Sequence, residues 1–527
     1  MKVLISDPLA REGVEILERE PDIEVTLGKG MDEEELVRVI PEYDALIVRS
    51  STKVTSRVIE AAEKLKVIGR AGVGVDNIDV EAATRKGIIV LNTPGANTIS
   101  AAEHTIALML ALSRNIHNAA ASMRKGEWNR SKFMGVEVFR KTLGIIGLGR
   151  IGAEVAKRAR GLGMRVIAYD PYLSREGAEK VGVQLVSLEQ LLGESDYISI
   201  HTPLTPETRG MIGRKQFEMM KDGVRIINCA RGGIVDEEAL YEALVSGKVA
   251  GAALDVFEKE PPDPDNPLLK LDNVLATPHL GAATREAQVN VAVEVCSQVL
   301  RALRGEMVVT AVNLPSIDPH LLKLLGPYIN LAEKIGLLHG QLLEGRVSEV
   351  TINYAGELFK ENTAPLTVAV EKGLLTPALQ EMVNFVNAPL LARERGIRVT
   401  EMRSGEHEDY VNLISVTVKT DSKTRTIAGT VYGKRDPRIV LIDRFHVNAV
   451  PSGHILIVQN DDRPGAIGTI GTILGRNGIN IADMSVGRFK PGGKAVMVIN
   501  LDSEAPEEVL REISSVPGID YVKQVRL

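Results

Sequence analysis

The chain reads as an α/β protein: two doubly wound parallel-sheet lobes, then a mixed α/β domain and a ferredoxin-like domain. Three observations predict this. Short β runs alternate with amphipathic helices to about residue 300, a glycine turn joins a strand to a helix near Gly147, and the last segment spells β-α-β-β-α-β. At 527 residues, 44% hydrophobic and 25% charged, the chain is globular and too long for one core.

From the N-terminus, KVLIS, IEVTL, ALIVR, KVIGR and IIVLN read as strands. Helices near Arg11 to Glu20, Glu33 to Ile40, Ser56 to Ala62 and just before IIVLN separate them. This first lobe has no phosphate fingerprint. Its strands end at Arg49 and Arg70, where open parallel sheets receive ligands; the two arginines are either an anion site or solvated strand ends. Ser100 to Glu103 has a capping-box pattern opening a long helix, Ala101 to Met123. The following loop carries Trp128, Arg130 and Lys132, and either closes over a neighbouring site or is a solvated connection.

Leu143 to Asp170 forms a complete nucleotide unit. An apolar strand is followed by Gly147, Gly149 and Gly152 in the spacing G-x-G-x-x-G, and Ile151, Val155 and Ala159 recur at helical spacing. A pyrophosphate can approach the backbone at Gly149 and meet the positive end of the helix. Asp170 ends the next strand at the distance expected of an acid that bonds a ribose 2′-hydroxyl and repels a 2′-phosphate, so NAD is the expected ligand. The alternation continues through YISIH, a helix near Arg214 to Met220, RIINCARGG, AGAALDVF and NVLATPHLG.

A helix near Thr284 to Arg304 is expected to return to the first lobe and leave a cleft between the two. The expected division is a substrate domain of 1–96 and 284–306, a nucleotide domain of 97–283, a third domain of 307–450 and a terminal domain of 451–527. In the third, helices are expected at Leu321 to Leu343 and Pro377 to Arg395, with strands VTINYA, LISVTV and IVLIDRF. Lys434, Arg435 and Arg438 read as a solvated turn in preference to an anion site.

A net charge of −6 without a long basic run excludes the electrostatic footprint of a nucleic-acid binder, leaving a small-molecule partner. Two cysteines, Cys229 and Cys296, support neither a disulfide framework nor a cysteine-rich metal site, and no metal is expected. The apolar stretches are too short for a signal peptide or a membrane span, so the expectation is a cytoplasmic protein.

Hydride transfer on a hydroxy acid needs a cation for the carboxylate and a group that takes the hydroxyl proton. Arg231, Glu260 and His279 supply these types at or just beyond strand ends of the nucleotide lobe. Arg231 can fork onto a carboxylate, His279 can exchange a proton, and Glu260 beside it would stabilise the imidazolium. Spacing alone leaves a structural role for each equally open.

GLGRIG, INCARGGIVDEEAL, ALDVFEKEPP and TPHLGAAT resemble the signatures of the D-isomer-specific 2-hydroxyacid dehydrogenases. The resemblance implies that Arg231, Glu260 and His279 are the catalytic set. With the glycines Gly147, Gly149 and Gly152, it implies NAD contacts at Arg150, Ile151, Asp170, Thr202, Cys229, Ala230, Arg231, Asp255, His279 and Gly281. Through LIVRSSTKVT, GRAGVGVDNID and NTPGANTISAAEH the whole chain is similar to long-form members with two added C-terminal domains. That similarity implies oxidation of D-3-phosphoglycerate to 3-phosphohydroxypyruvate with NAD, at the entry to serine synthesis. It also implies that Arg49, Arg70 and Asn97 meet the phosphate or carboxylate, and that Arg130 or Lys132 reaches a neighbouring subunit's site in a homotetramer.

The terminal unit resembles an ACT domain through DRPG and GINI, which implies L-serine as an effector between two such domains, touching Asn460, Asp462 and Asn480. The alternatives are a D-2-hydroxyacid or hydroxypyruvate reductase, and a non-catalytic NAD-sensing regulator.

Overall fold

A computed structural model of the chain describes residues 1–306, 308, 310–315, 319–359, 362–379, 382–405 and 407–527. The first sheet is five-stranded and parallel, in the order Glu24–Leu27, Lys2–Ile5, Ala45–Val48, Val67–Arg70, Ile89–Leu91. Ala45–Val48 is buried along its whole length, as a parallel strand covered on both faces must be. Acids start the covering helices: Asp32 accepts from the Glu35 N–H and Asp79 from the Ala82 N–H.

The second sheet has seven parallel strands, in the order Val274–Ala276, Val249–Leu254, Val224–Asn228, Tyr197–Ile200, Thr142–Ile146, Arg165–Tyr169, Gln184–Leu185. The chain starts at Thr142–Ile146, builds outward on one side, then returns to build on the other from Tyr197–Ile200. That reversal opens the crevice in which ligands of such sheets bind.

Two helices tie the lobes together. Thr98–Ser113 buries Ala102, Met109 and Leu112 with Leu143 and Ile145 of the second sheet. Arg285–Leu303 leaves the second sheet and buries Val291, Val295 and Val299 with Val3 and Ile5 of the first. It crosses Arg11–Glu18 at Gly13, where a Cβ would lie 2.5 Å from the Ala292 carbonyl group.

The long helix expected from Ala101 to Met123 is two helices, Thr98–Ser113 and Ile116–Arg124. Asn115 between them takes φ 52, a left-handed conformation that asparagine tolerates better than most residues. The capping box does not form either. The helix starts three residues early, and the Ser100 hydroxyl instead bonds Thr284 at 2.7 Å, between the two lobe-connecting helices.

The third unit is a six-stranded mixed sheet in the order Arg398–Ser404, Val347–Ala355, Leu413–Thr420, Thr424–Tyr432, Asp436–Ile442, Phe445–Ala449. Helices Pro319–Leu342 and Ala364–Leu375 cover it. Of the helix expected at Pro377 to Arg395, only Ala388–Glu394 is present, and residues 380 and 381 lie outside the described residues, as does 307, the expected start of the unit. Ala364–Leu375 escaped the sequence reading because it is buried nearly all round and so has no amphipathic period. IVLIDRF is not one strand: Asp443, at φ 55, turns the chain so that Phe445 pairs back onto Ile442.

The last sheet is antiparallel, in the order Ile481–Arg488, Lys494–Leu501, His454–Asp461, Ile519–Arg526. Helices Ala466–Arg476 and Glu507–Ser514 cover one face, where Leu456 and Val458 meet Ile470 and Ile513. The other face, with Ile455, Ile457 and Val498, is continuous with the core of the third unit. Among the described residues no helix is long and apolar enough to cross a membrane.

Candidate active site

The glycine turn is shaped for close backbone approach. Gly147 sits at φ 90, and a Cβ there would lie 2.8 Å from the His201 carbonyl oxygen; at Gly152 it would lie 2.2 Å from the Gly147 oxygen. Gly149 has open space instead, and helix Arg150–Gly161 begins there without a side-chain cap, leaving its first N–H groups for an anion. Asp170 lies beside the turn, its carboxylate oxygens accepting the Leu148 and Tyr172 N–H groups, each at 2.9 Å. The Thr202 hydroxyl, against Gly147, is buried without a partner. An open turn, a free helix start and an orphaned hydroxyl fit a bound dinucleotide.

The other expected contacts ring this crevice. Arg150 extends toward Gly95, and Ile151 packs against the core beneath the turn. Burial pushes the Cys229 thiol up to about 12, so it is a neutral wall group bonded to Thr105. The Ala230 N–H donates to Asn228 Oδ1 at 3.0 Å, fixing the loop that carries Arg231. Asp255 is almost fully buried, yet its carboxyl is held below the usual range. Burial opposes ionisation, but His104, Thr277 and the Leu280 N–H overcome it, at 3.1, 2.6 and 2.8 Å. The Gly281 N–H binds the second oxygen at 2.9 Å.

That carboxylate shapes the backbone under His279. The histidine takes φ 55, and its N–H donates to the Asp255 carbonyl at 2.9 Å. Such a conformation is unfavourable for a residue with a Cβ and persists because its surroundings hold it. The ring then lies with Nδ1 2.8 Å from Glu260 Oε2, beside a cavity of about 420 Å³ lined by Phe257, Pro261 and Thr277. Glu260 Oε1 accepts the Phe257 N–H at 3.2 Å. Partial burial opposes ionisation of Glu260, but His279, the Phe257 N–H and Arg231 together outweigh it and hold the carboxyl below its ordinary value.

Arg231 reaches across the cleft from the end of Val224–Asn228 to the loop after Val67–Arg70, where Nε meets Asp76 Oδ2 at 3.2 Å. Burial first, and the nearby Arg231 second, push the Arg70 guanidinium down to about 10. Arg70 Nε is buried and unpartnered, as is Asn97 Oδ1 at the start of Thr98–Ser113. Buried cations and amides without partners are costly unless a ligand answers them. Arg49 is held in the same group by Asp7, which accepts its N–H at 2.5 Å and the Ser51 and Thr52 hydroxyls at 2.7 and 2.9 Å.

Arg130 and Lys132 do not join this cluster. They stack on Trp128 at 5.4 Å and Phe133 at 5.9 Å in an exposed loop. Nor do the three expected effector residues meet within one chain. Asn460 is buried with Oδ1 unpartnered, Asp462 accepts from Arg488 and the Gly492 N–H, and Asn480 donates to Asp502 at the other end of the strand pair. Lys434 and Arg435 occupy a turn, and Arg438 pairs with Asp436 at 3.0 Å.

Sequence reasoning missed Asp7, Asp76 and His104. Each had a faint signal: an acid or histidine just past a strand end or inside the first turns of the lobe-connecting helix.

Comparison with known proteins agrees along the whole chain. The D-isomer specific 2-hydroxyacid dehydrogenase NAD binding domain matches residues 106–281, the D-3-phosphoglycerate dehydrogenase intervening domain 324–443 and the ACT domain 454–518. The D-3-phosphoglycerate dehydrogenases of Archaeoglobus fulgidus and Methanocaldococcus jannaschii are each 51% identical over all of both chains, and that of Bacillus subtilis is 45% identical over 100% of this chain and 99% of its own. Among solved structures, D-lactate dehydrogenase from Aquifex aeolicus complexed with NAD and lactic acid is 33% identical. It covers 60% of this chain and all of its own, with a TM-score of 0.54.

Proposed function

The chain belongs to the D-3-phosphoglycerate dehydrogenase family, and on that premise we propose that it oxidises D-3-phosphoglycerate to 3-phosphohydroxypyruvate with NAD, at the entry to serine biosynthesis. Residues 1–96 and 284–306 form the substrate domain in this reading, 97–283 the NAD domain, 307–450 the intervening domain and 451–527 the regulatory domain.

The observation that carries the chemistry is the His279–Glu260 pair. An ionised carboxylate only accepts, so in the neutral imidazole Nδ1 carries the proton toward Glu260 and Nε2 keeps a lone pair for the substrate. Nε2 takes the C2 hydroxyl proton as the carbonyl forms, and Glu260 stabilises the resulting imidazolium. In reverse the same nitrogen donates. Arg231 anchors the carboxylate and adjacent oxygen; Arg49, Arg70 and Asn97 receive the remaining anionic oxygens of a substrate with about three negative charges. Bound NAD supplies the hydride acceptor.

We further propose a cytoplasmic homotetramer inhibited by L-serine at paired ACT domains, with Arg130 or Lys132 serving a neighbouring subunit. The test follows NADH absorbance with D-3-phosphoglycerate, with D-glycerate, and with added L-serine. The expected kcat/KM for the phosphorylated acid exceeds that for glycerate by about 100-fold or more, as loss of charge-assisted contacts requires. Equal values would return the chain to the hydroxypyruvate reductases, and NADH binding without turnover on any hydroxy acid would make it a sensor.

A further inference from the structure

We propose that Asp76 is a positioning residue for the reaction: its carboxylate holds Arg231 at Nε and steadies the guanidinium that anchors the substrate. This inference rests on the role assigned to Arg231 above.

The guanidinium groups of Arg49 and Arg231 both lie close enough to that of Arg70 to repel it. Arg231 is the one that comes from the opposite lobe, and two bonds fix its tip. Nη1 donates to the carbonyl of its neighbour Ala230 at 2.7 Å, and Nε donates to Asp76 Oδ2 at 3.2 Å. Nη2 makes no hydrogen bond among the described residues, which leaves one edge of the planar group for a ligand.

The backbone is cut to allow this. A Cβ on Gly74 would lie 2.0 Å from Arg231 Nη2 and 2.6 Å from Asp76 Oδ2, so any side chain there would break the pair apart. The loop that presents Asp76 is itself fastened on both flanks. The Asn77 amide donates to the carbonyls of Arg49 and Thr52 at 2.7 and 2.6 Å, and the Asn92 amide donates to Val73 at 2.7 Å. A carboxylate that only decorated the surface would need neither an empty Gly74 nor this bracing. Asp76 also attracts Arg70, offsetting the repulsion from Arg231 and Arg49.

A positioning role predicts a distinctive kinetic signature. Removing the charge makes the cluster more positive, which favours an anion in the ground state, but frees Arg231 to rotate away from the reacting oxygen. In Asp76→Asn, kcat should therefore fall about tenfold while KM for D-3-phosphoglycerate changes less than about threefold. Asp76→Glu should recover activity to within about threefold of wild type. In an Arg231→Gln background, Asp76→Asn should add less than about a twofold further loss, because its effect runs through that arginine.

NADH affinity and Tm, measured on each variant, separate this from general damage, since Asp76 lies outside the nucleotide crevice. Three outcomes would overturn the inference. One is an unchanged kcat in Asp76→Asn. Another is a lowered KM with unchanged or raised kcat, which would make Asp76 a mere competitor of substrate. The third is a loss of equal size in the presence and absence of Arg231. If wild-type enzyme fails to turn over D-3-phosphoglycerate, the functional reading itself fails, and that is visible before any variant is made.

Discussion

Replacing Glu260 by Gln keeps a group of similar size near His279 Nδ1 but removes the charge that steadies the imidazolium, so it isolates the electrostatic part of the pair. Because the carboxyl of Glu260 is held below its ordinary value, its support is present at neutral pH and is lost only as pH falls into the acid range. Glu260→Gln should lower kcat about 10- to 100-fold near pH 8 and His279→Ala about 10²- to 10⁴-fold, both with NADH affinity near wild type. Stopped assays and NADH fluorescence titrations check this; wild-type turnover in His279→Ala would remove the proton-transfer role. These residues could be singled out in the sequence because each stands at or just beyond a strand end of an alternating β/α pattern, and the family motifs then favoured the catalytic reading proposed above. Asp76 was not legible. Nothing in linear order links it to Arg231, 155 residues away, and only the closed approach of two lobes reveals the pair.

At the scale of elements, the helix Ala364–Leu375 lies beside a group of polar side chains and carries one buried carboxyl, Glu371. Thr363 and Thr367 donate to Glu401 at 2.8 and 2.5 Å, and Thr367 also bonds the Tyr354 hydroxyl at 2.8 Å. One turn further along, Glu371 is 7% exposed. Burial, then the nearby Glu401 charge, push its carboxyl up to about 7 against the opposing pull of Arg393. A carboxyl raised in the folded state binds its proton more tightly there than in the unfolded chain. Its contribution is therefore full below its ordinary value and is lost as pH rises through about 7. Glu371→Gln, a permanent mimic of the protonated form, should raise Tm at pH 8 by roughly a few degrees and make no difference at pH 4. Melting curves at both pH values decide it; a Tm gain of equal size at pH 4 would assign the effect to packing. This helix also marks where sequence reading stops. A segment apolar on every side has no period to detect, whereas the amphipathic helices of the first lobe were placed within a residue or two. The break at Asn115 escaped for a different reason: the left-handed turn falls on an asparagine, with no Gly or Pro nearby to mark it in the sequence.

For the molecule as a whole, the ACT register decides how an effector site must be built. Asp461, next to Asp462, pairs with Lys494, while Ile481, next to Asn480, pairs with Leu501. Asp462 and Asn480, two of the three expected effector residues, thus sit near opposite ends of the Lys494–Leu501 strand, roughly 20 Å apart at about 3.3 Å per residue. One serine cannot span that distance. A two-fold axis beside the outer strand Ile481–Arg488 would bring Asn480 of one subunit to Asp462 of its partner and create two equivalent sites. Asp462→Ala and Asn480→Ala should then each abolish serine inhibition while sparing basal turnover, since both lie in the terminal unit, far in sequence from the nucleotide lobe. Co-expression of the two variants gives the sharper result. In a mixed dimer one interface site collects both substitutions and the other collects neither, so an intact site reappears and serine inhibition should return in part, with about the wild-type midpoint. Serine titration of the purified mixed oligomer, selected by two different affinity tags, measures this. If the mixed species stays as insensitive as either parent, the site does not combine Asp462 with the partner's Asn480, and regulation must act through other residues of the terminal domain.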